Sequence, residues 1–197
     1  ILNVHDSEGV RYNEPKLKIM GIEAVKSSTP QVCRDKIKDA LKIIMNEDSK
    51  VLNTFIQDFR SDFMNLEPEY IAYPRSVNGL EKFSSSNGMF AKGAPIHCKG
   101  AILYNHLLKQ KKLTNKYPLI QEGDKIKFVH LRQPNVYTSS AFSFITFFPK
   151  ELDLKDRIDY DTQFTKSFVE PLKFISEKIG WWIDDSYGTQ GTLDGFF

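Results

Sequence analysis

The sequence predicts an α+β protein: a mostly helical body with a small antiparallel sheet, preceded by a short piece of antiparallel strand. Three observations predict it. The first 23 residues alternate apolar and polar side chains, and later segments repeat apolar residues at every third and fourth position. Two further runs, KIKFVHL (125–131) and AFSFITFF (141–148), are rich in β-branched and aromatic residues. At 197 residues, 41% hydrophobic and 13% aromatic, the chain can bury a sizeable core.

ILNVH, VRYN after the SEG turn, and LKIMGIE read as strands over residues 1–23, punctuated by Gly9 and Pro15. Ile1 is not an initiator methionine and ILNVH opens in mid-strand, so a longer polypeptide or a partner chain is expected ahead of it. SSTPQ predicts a helix start, with Thr29 capping free backbone N–H groups and Pro30 at the first helical position, where its missing donor costs nothing. Val32, Ile37, Leu41, Ile44 and Met45 form the apolar stripe of that helix, with Lys36, Lys38, Asp39 and Lys42 opposite. Asp48 or Ser49 starts a second helix, whose Leu52, Phe55, Ile56, Phe59, Phe63 and Leu66 face a partner and which ends near Pro68.

Residues 71–95, IAYPRSVNGLEKFSSSNGMFAKGAP, read as one long irregular stretch, too long for a plain connector and so expected to be functional or mobile. A third helix follows over about 97–113, then the two strand runs, the second expected to be buried on both faces. Asp161 is the expected cap of a last helix through Phe164, Phe168, Leu172 and Ile175. Beyond Trp181 and Trp182, DDSYGTQGT reads as a polar tether.

Several function classes are excluded or disfavoured. AFSFITFFP, the longest apolar run, is far short of the roughly 20 residues of a membrane span, so no membrane anchor is expected. Cys33 and Cys98 have no metal-ligand spacing and nothing resembles a secretory signal, which points to a reducing cytoplasm. His5, His97, His106 and His130 show no paired metal spacing, Asp184 and Asp185 fall in the tether, and no nucleophile elbow or P-loop occurs. No catalytic residue is therefore assigned, and no metal is expected in this chain.

Charge is unevenly spread. Seven lysines (82, 92, 99, 109, 111, 112, 116) and two histidines fall between residues 82 and 116 without one carboxylate. A solvated surface is the plain alternative, but the missing acid favours an anionic partner. In KGAPIHCKG (92–100), Lys92, Gly93, His97, Lys99 and Gly100 surround a helix start whose free N–H groups suit a phosphate. RSVNG (75–79) offers a cation, a hydroxyl, an amide and a glycine, the ingredients of duplex backbone contacts.

Gln190, Leu193, Phe196 and Phe197 end the chain in the spacing QxxLxxFF, which resembles the clamp-binding peptide of many replication proteins. In a single 3₁₀-like turn residues three apart eclipse, so Leu193 and Phe196 share one side with Phe197 beside them. Burying one Leu and two Phe yields on the order of 5–8 kcal/mol gross, much of it offset by ordering the backbone, so the peptide works as a second grip through effective concentration.

HDSEGVRYNEPKLKIMGIEAVKSSTP, PIHCKGAILYN, FTKSFVEPL and the clamp-type terminus together resemble the C-terminal part of the family B replicative DNA polymerases of T-even-type tailed bacteriophages. The resemblance runs from Leu2 to Phe197. It implies a palm edge over 1–28, a thumb domain over 29–183, and a tether with clamp-binding peptide over 184–197. The implied partners are primer-template duplex, a sliding clamp and the remainder of the polymerase, in the cytoplasm of an infected bacterium. By resemblance, Lys16 and Lys18 lie near the palm's duplex surface, Lys26 at the thumb entry, and Arg75, Ser76 and Asn78 on primer phosphates. Lys92, Gly93, His97 and Lys99 belong to the block with further backbone contacts; Lys99 stands where close relatives have arginine, losing the bidentate fork. A KKRY-like motif and the metal-binding aspartates lie upstream in the family, so Mg2+ is implied only for the complete polymerase. The competing expectation is a stand-alone DNA- and clamp-binding accessory subunit, a separately encoded polymerase half without activity of its own.

Overall fold

The computed structural model describes residues 2–85 and 90–183. β1 (Leu2–His5) and β2 (Arg11–Leu17) pair antiparallel, with Leu2 opposite Leu17 and His5 opposite Arg11. Their turn is fixed by Asp6, whose carboxylate accepts from the Glu8 and Val10 amides at 2.9 and 2.8 Å, and by Gly9 at φ 81°. The third strand expected in LKIMGIE is not formed. β2 runs through Pro15, tolerable in a ribbon where each strand has one side without a ladder, and the chain then bends at Gly21 (φ 74°) into a 3₁₀ turn at Glu23–Val25.

α1 (Gln31–Asn46) begins with Pro30 at the cap and no capping side chain; Thr29 is buried and does not cap. Its core face is Cys33, Ile37 and Ala40, so the stripe is centred away from Leu41 and Met45, and Met45 is 44% exposed. Lys36, expected on the solvated face, instead reaches over the Phe55 and Phe59 rings, 5.3 Å from each centroid. α2 (Ser49–Phe63) starts as expected, with Asp48 Oδ1 accepting from the Val51 amide at 3.0 Å. Leu52, Ile56, Phe59 and Phe63 are buried.

The 71–95 stretch is not irregular throughout. After the single turn α3 (Pro68–Ile71), Tyr73–Ser76 forms β3, and Leu80–Phe83 forms the short α4. β3 pairs antiparallel with β4 (Lys125–His130), and β4 with β5 (Ala141–Phe144), in the order β3-β4-β5. Pro74 is accommodated because β3 is an edge strand. All four residues of β5 are buried, and the strand ends before Phe147, which is 70% exposed. α5 (Ile96–Gln110) packs on β5 so closely that a Cβ on Gly100 would lie 2.5 Å from Ser143 Oγ and 2.8 Å from its backbone nitrogen.

The last helical run is α6 (Tyr160–Phe164), a π turn at Thr165–Val169, and α7 (Glu170–Ser176). Its cap is Asp159, accepting from the Thr162 amide at 2.9 Å, not Asp161, which pairs with Arg60 of α2. The wider turn stands just before Pro171, which has no N–H for a regular ladder. Phe164 and Phe168 interlock with Phe59 and Phe63 at centroid distances of 4.7–5.6 Å, the aromatic centre of the core. Among the described residues no helix is long and apolar enough to cross a membrane.

Candidate nucleic-acid interface

The free edge of the three-stranded sheet builds the site. Ser76 and Lys125 are cross-strand partners and leave the sheet on one face; Arg75, opposite Ile126, shares the other face with Tyr73 and Phe128. Tyr73 and Phe128 stack at 5.1 Å and 24°, and the Arg75 guanidinium lies 5.8 and 6.0 Å from their centroids. Burial pushes the Tyr73 hydroxyl's pKa well up. Arg75 Nη1 donates to the Ser28 and Pro74 carbonyls, both at 2.8 Å. The same residues line a cleft of about 400 Å³ between Ser27–Ser28 and Pro74–Ser76, with Lys125 and Ile126 completing the wall. None of its lining side chains is a carboxylate.

His97 approaches from α5, its ring 6.3 Å from that of Phe128. Burial, then the nearby Arg75 charge, hold its pKa below the ordinary histidine range, so near neutral pH it offers hydrogen bonds rather than charge. Arg75, Ser76 and His97 are thus brought around one edge. Asn78 is exposed, and its carbonyl accepts from Cys98 Sγ at 3.5 Å.

Other expected donors are spent internally. The Gly79 and Leu80 amides donate to the two carboxylate oxygens of Glu122 at 2.6 and 2.8 Å, so an internal anion occupies the end of RSVNG. Gly100 serves helix–sheet contact rather than ligand approach. Gly93 sits in an exposed turn at φ 81° with Lys92 beside it, and Lys99 is half-buried one turn into α5. Lys26 is ion-paired with Glu23 at 2.6 Å. Lys16 pairs through its backbone register with Asn3, and Lys18 is exposed. Gln190, Leu193, Phe196 and Phe197 lie outside the described residues.

The missing acid of the lysine run arrives from far along the chain. Glu151 pairs with Lys116, accepts from the Tyr117 hydroxyl at 2.7 Å, and lends its carbonyl to Lys111 Nζ at 3.1 Å. Lys116 first, then Tyr117, pull the Glu151 carboxyl down to about 2. Lys82 lies over its neighbour Phe83, 5.4 Å from the centroid.

Sequence reasoning missed Ser27, Ser28 and Lys125. The signal for Lys125 was present, since alternation in KIKFVH puts residues 125 and 127 on the face opposite Ile126 and Phe128.

The chain is similar along its length to phage DNA polymerases, as its motifs predict. It is 29% identical over 200 aligned residues to the DNA-directed DNA polymerase of Enterobacteria phage T4, covering 100% of this chain and 21% of that protein. It is 32% identical over 177 residues to the DNA-directed DNA polymerase of Escherichia phage RB69, covering 87% of this chain and 19% of that protein. The chain therefore spans about a fifth of the length of these curated relatives. No family model matches it.

Proposed function

We propose that this chain is the C-terminal part of a family B replicative DNA polymerase of a T-even-type phage, acting in the cytoplasm of the infected bacterium. Residues 1–28 are its palm edge, 29–183 its thumb, and 184–197 its tether and clamp-binding peptide. The observation that carries this reading is similarity over the whole chain to two phage DNA-directed DNA polymerases. The acid-free cleft at Arg75 supports the gripping role, because a replicative enzyme must hold any sequence and phosphate contacts do so without reading bases.

In this reading Arg75, Ser76, Asn78, Lys92, Gly93, His97 and Lys99 hold the primer-template backbone, His97 as a neutral donor. Lys16, Lys18 and Lys26 serve the palm side. Gln190, Leu193, Phe196 and Phe197 plug into the sliding clamp. Nucleotidyl transfer belongs to the whole polymerase. Among the described residues no group of three or more His, Cys, Asp or Glu could hold a metal ion; in this reading Mg2+ serves the complete enzyme.

Three measurements test the reading. The chain should bind primer-template duplex with an affinity that falls steeply with salt. Deleting residues 190–197 should abolish clamp binding and spare duplex affinity; equal loss of both would refute the division of labour. Mixed with the upstream portion of the polymerase, the chain should restore primer extension.

A further inference from the structure

We propose that the cleft between α3 and the segment 148–156 is a docking site for an arginine-bearing segment of a separate protein. The cleft holds about 290 Å³. Its α3 wall is tied to the sheet face opposite Arg75, because Lys127, the register partner of Pro74, donates from Nζ to the Glu69 carbonyl at 3.0 Å. Glu69 Oε1 accepts from the Phe148 amide at 2.8 Å and so fastens the two walls together. The duplex-gripping reading plays no part in the argument.

The first argument is charge. Four carboxylates line the cleft against two lysines. Lys155 pairs with Glu67 at 2.7 Å, whereas Asp153 and Asp156 form no ion pair among the described residues. Such a surface repels a phosphate and attracts a cation. Among the described residues no group of His, Cys, Asp or Glu could hold a metal ion, so the cation that fits is a side chain. The second argument is the rim. Tyr70 and Phe147 stand next in sequence to Glu69 and Phe148, and they are 64% and 70% exposed. Elsewhere the chain lays its own cations over rings, Lys36 over Phe55 and Phe59, Lys178 over Phe174. Among the described residues no cation lies over Tyr70 or Phe147.

Carboxylates beside open aromatic faces are the complement of a guanidinium, which forks two N–H bonds to one carboxylate and lays its plane on a ring. An ammonium offers the charge without the fork or the plane. The third argument concerns the source of that arginine. Unbalanced charge acts chiefly on the rate of encounter, which matters to a partner arriving by diffusion and not to a segment already tethered.

The test follows the fluorescence anisotropy of a labelled peptide of about ten residues, alternating arginine and glycine, titrated with the full chain at about 50 mM salt beside its lysine counterpart. The arginine peptide should bind about three- to tenfold more tightly than the lysine one. D153N/D156N should weaken it about three- to tenfold, and Y70A and F147A about two- to fivefold each. Unchanged thermal midpoints show that the variants are folded. Equal binding of the two peptides, binding of neither, or native affinity in D153N/D156N or in both aromatic variants overturns the site. A last arm adds the upstream portion of the polymerase. The peptide should still bind; its exclusion would make that portion the occupant and overturn a separate partner. Duplex binding is read independently: its absence in the native chain removes the gripping role and leaves the peptide results to decide the cleft.

Discussion

Two basic regions of this molecule look alike in the sequence and differ in the folded chain. The lysine run over 82–116 is the denser in positive charge, yet Glu151 engages Lys111 and Lys116, and Lys82 lies over a neighbouring ring. The Arg75 cleft carries only two cations, but no carboxylate lines it and Arg75 is already oriented. The difference teaches that binding capacity follows charge left uncompensated on a concave surface, not charge counted along a chain.

The largest test of that contrast strikes the helix the two regions share. Gly100→Ala drives a Cβ into Ser143, including its backbone nitrogen, and should cost about 1–3 kcal/mol in urea unfolding. Because α5 carries His97 and Lys99, duplex binding should weaken as well. Next, Arg75→Ala should lower duplex affinity about tenfold, whereas Lys111→Ala should change it less than about twofold. Equal losses would abolish the distinction.

Releasing the compensated lysines sharpens the contrast from the other side. Glu151→Gln should raise duplex affinity about two- to threefold at low salt and leave it unchanged at high salt. In the native chain Glu151 should titrate near 2, followed by carboxyl NMR. Its folded-state pKa is depressed, so the stabilising link to Lys116 and Tyr117 is complete above the ordinary glutamate range and is lost as pH falls toward about 2. The smallest effect is on His97. Arg75→Ala should move its imidazole titration upward, since that charge is one of the two causes holding it down; no upward movement would mean that burial alone sets it. For the native chain the pH sign is the same as for Glu151 although the cause differs: burial and the Arg75 charge disfavour the charged ring, so its contribution to stability weakens as pH falls below the ordinary histidine range.

What the sequence disclosed follows from how local each cause is. α2 was legible because its cap and its core residues lie on one continuous segment, and α5 and the β4 and β5 runs were legible for the same reason. β3 was not, since Tyr73-Pro74-Arg75-Ser76 has no alternation of its own and is a strand only because β4 pairs with it. The stripe of α1 was misplaced because small residues, Cys33 and Ala40, take its buried positions, and Asp161 was an available cap that Arg60 claimed from another helix. The site is harder still. Its walls come from residues 27–28, 74–76 and 125–126, and the carboxylates that silence neighbouring donors, Glu122 and Glu151, are tens of residues from the groups they bind. Motif resemblance reached Arg75 and Ser76, while Lys125 needed the strand register.

The N-terminal ribbon carries one more consequence. Among the described residues β1 and β2 pair only with each other, so each strand keeps one row of amides and carbonyls outside the ladder, while β4 is flanked on both sides. A lone two-stranded ribbon is marginal in water. Deuterium should therefore replace amide protons in the ribbon well ahead of those in β4, and whatever chain comes to lie along the ribbon's open rim will set that clock.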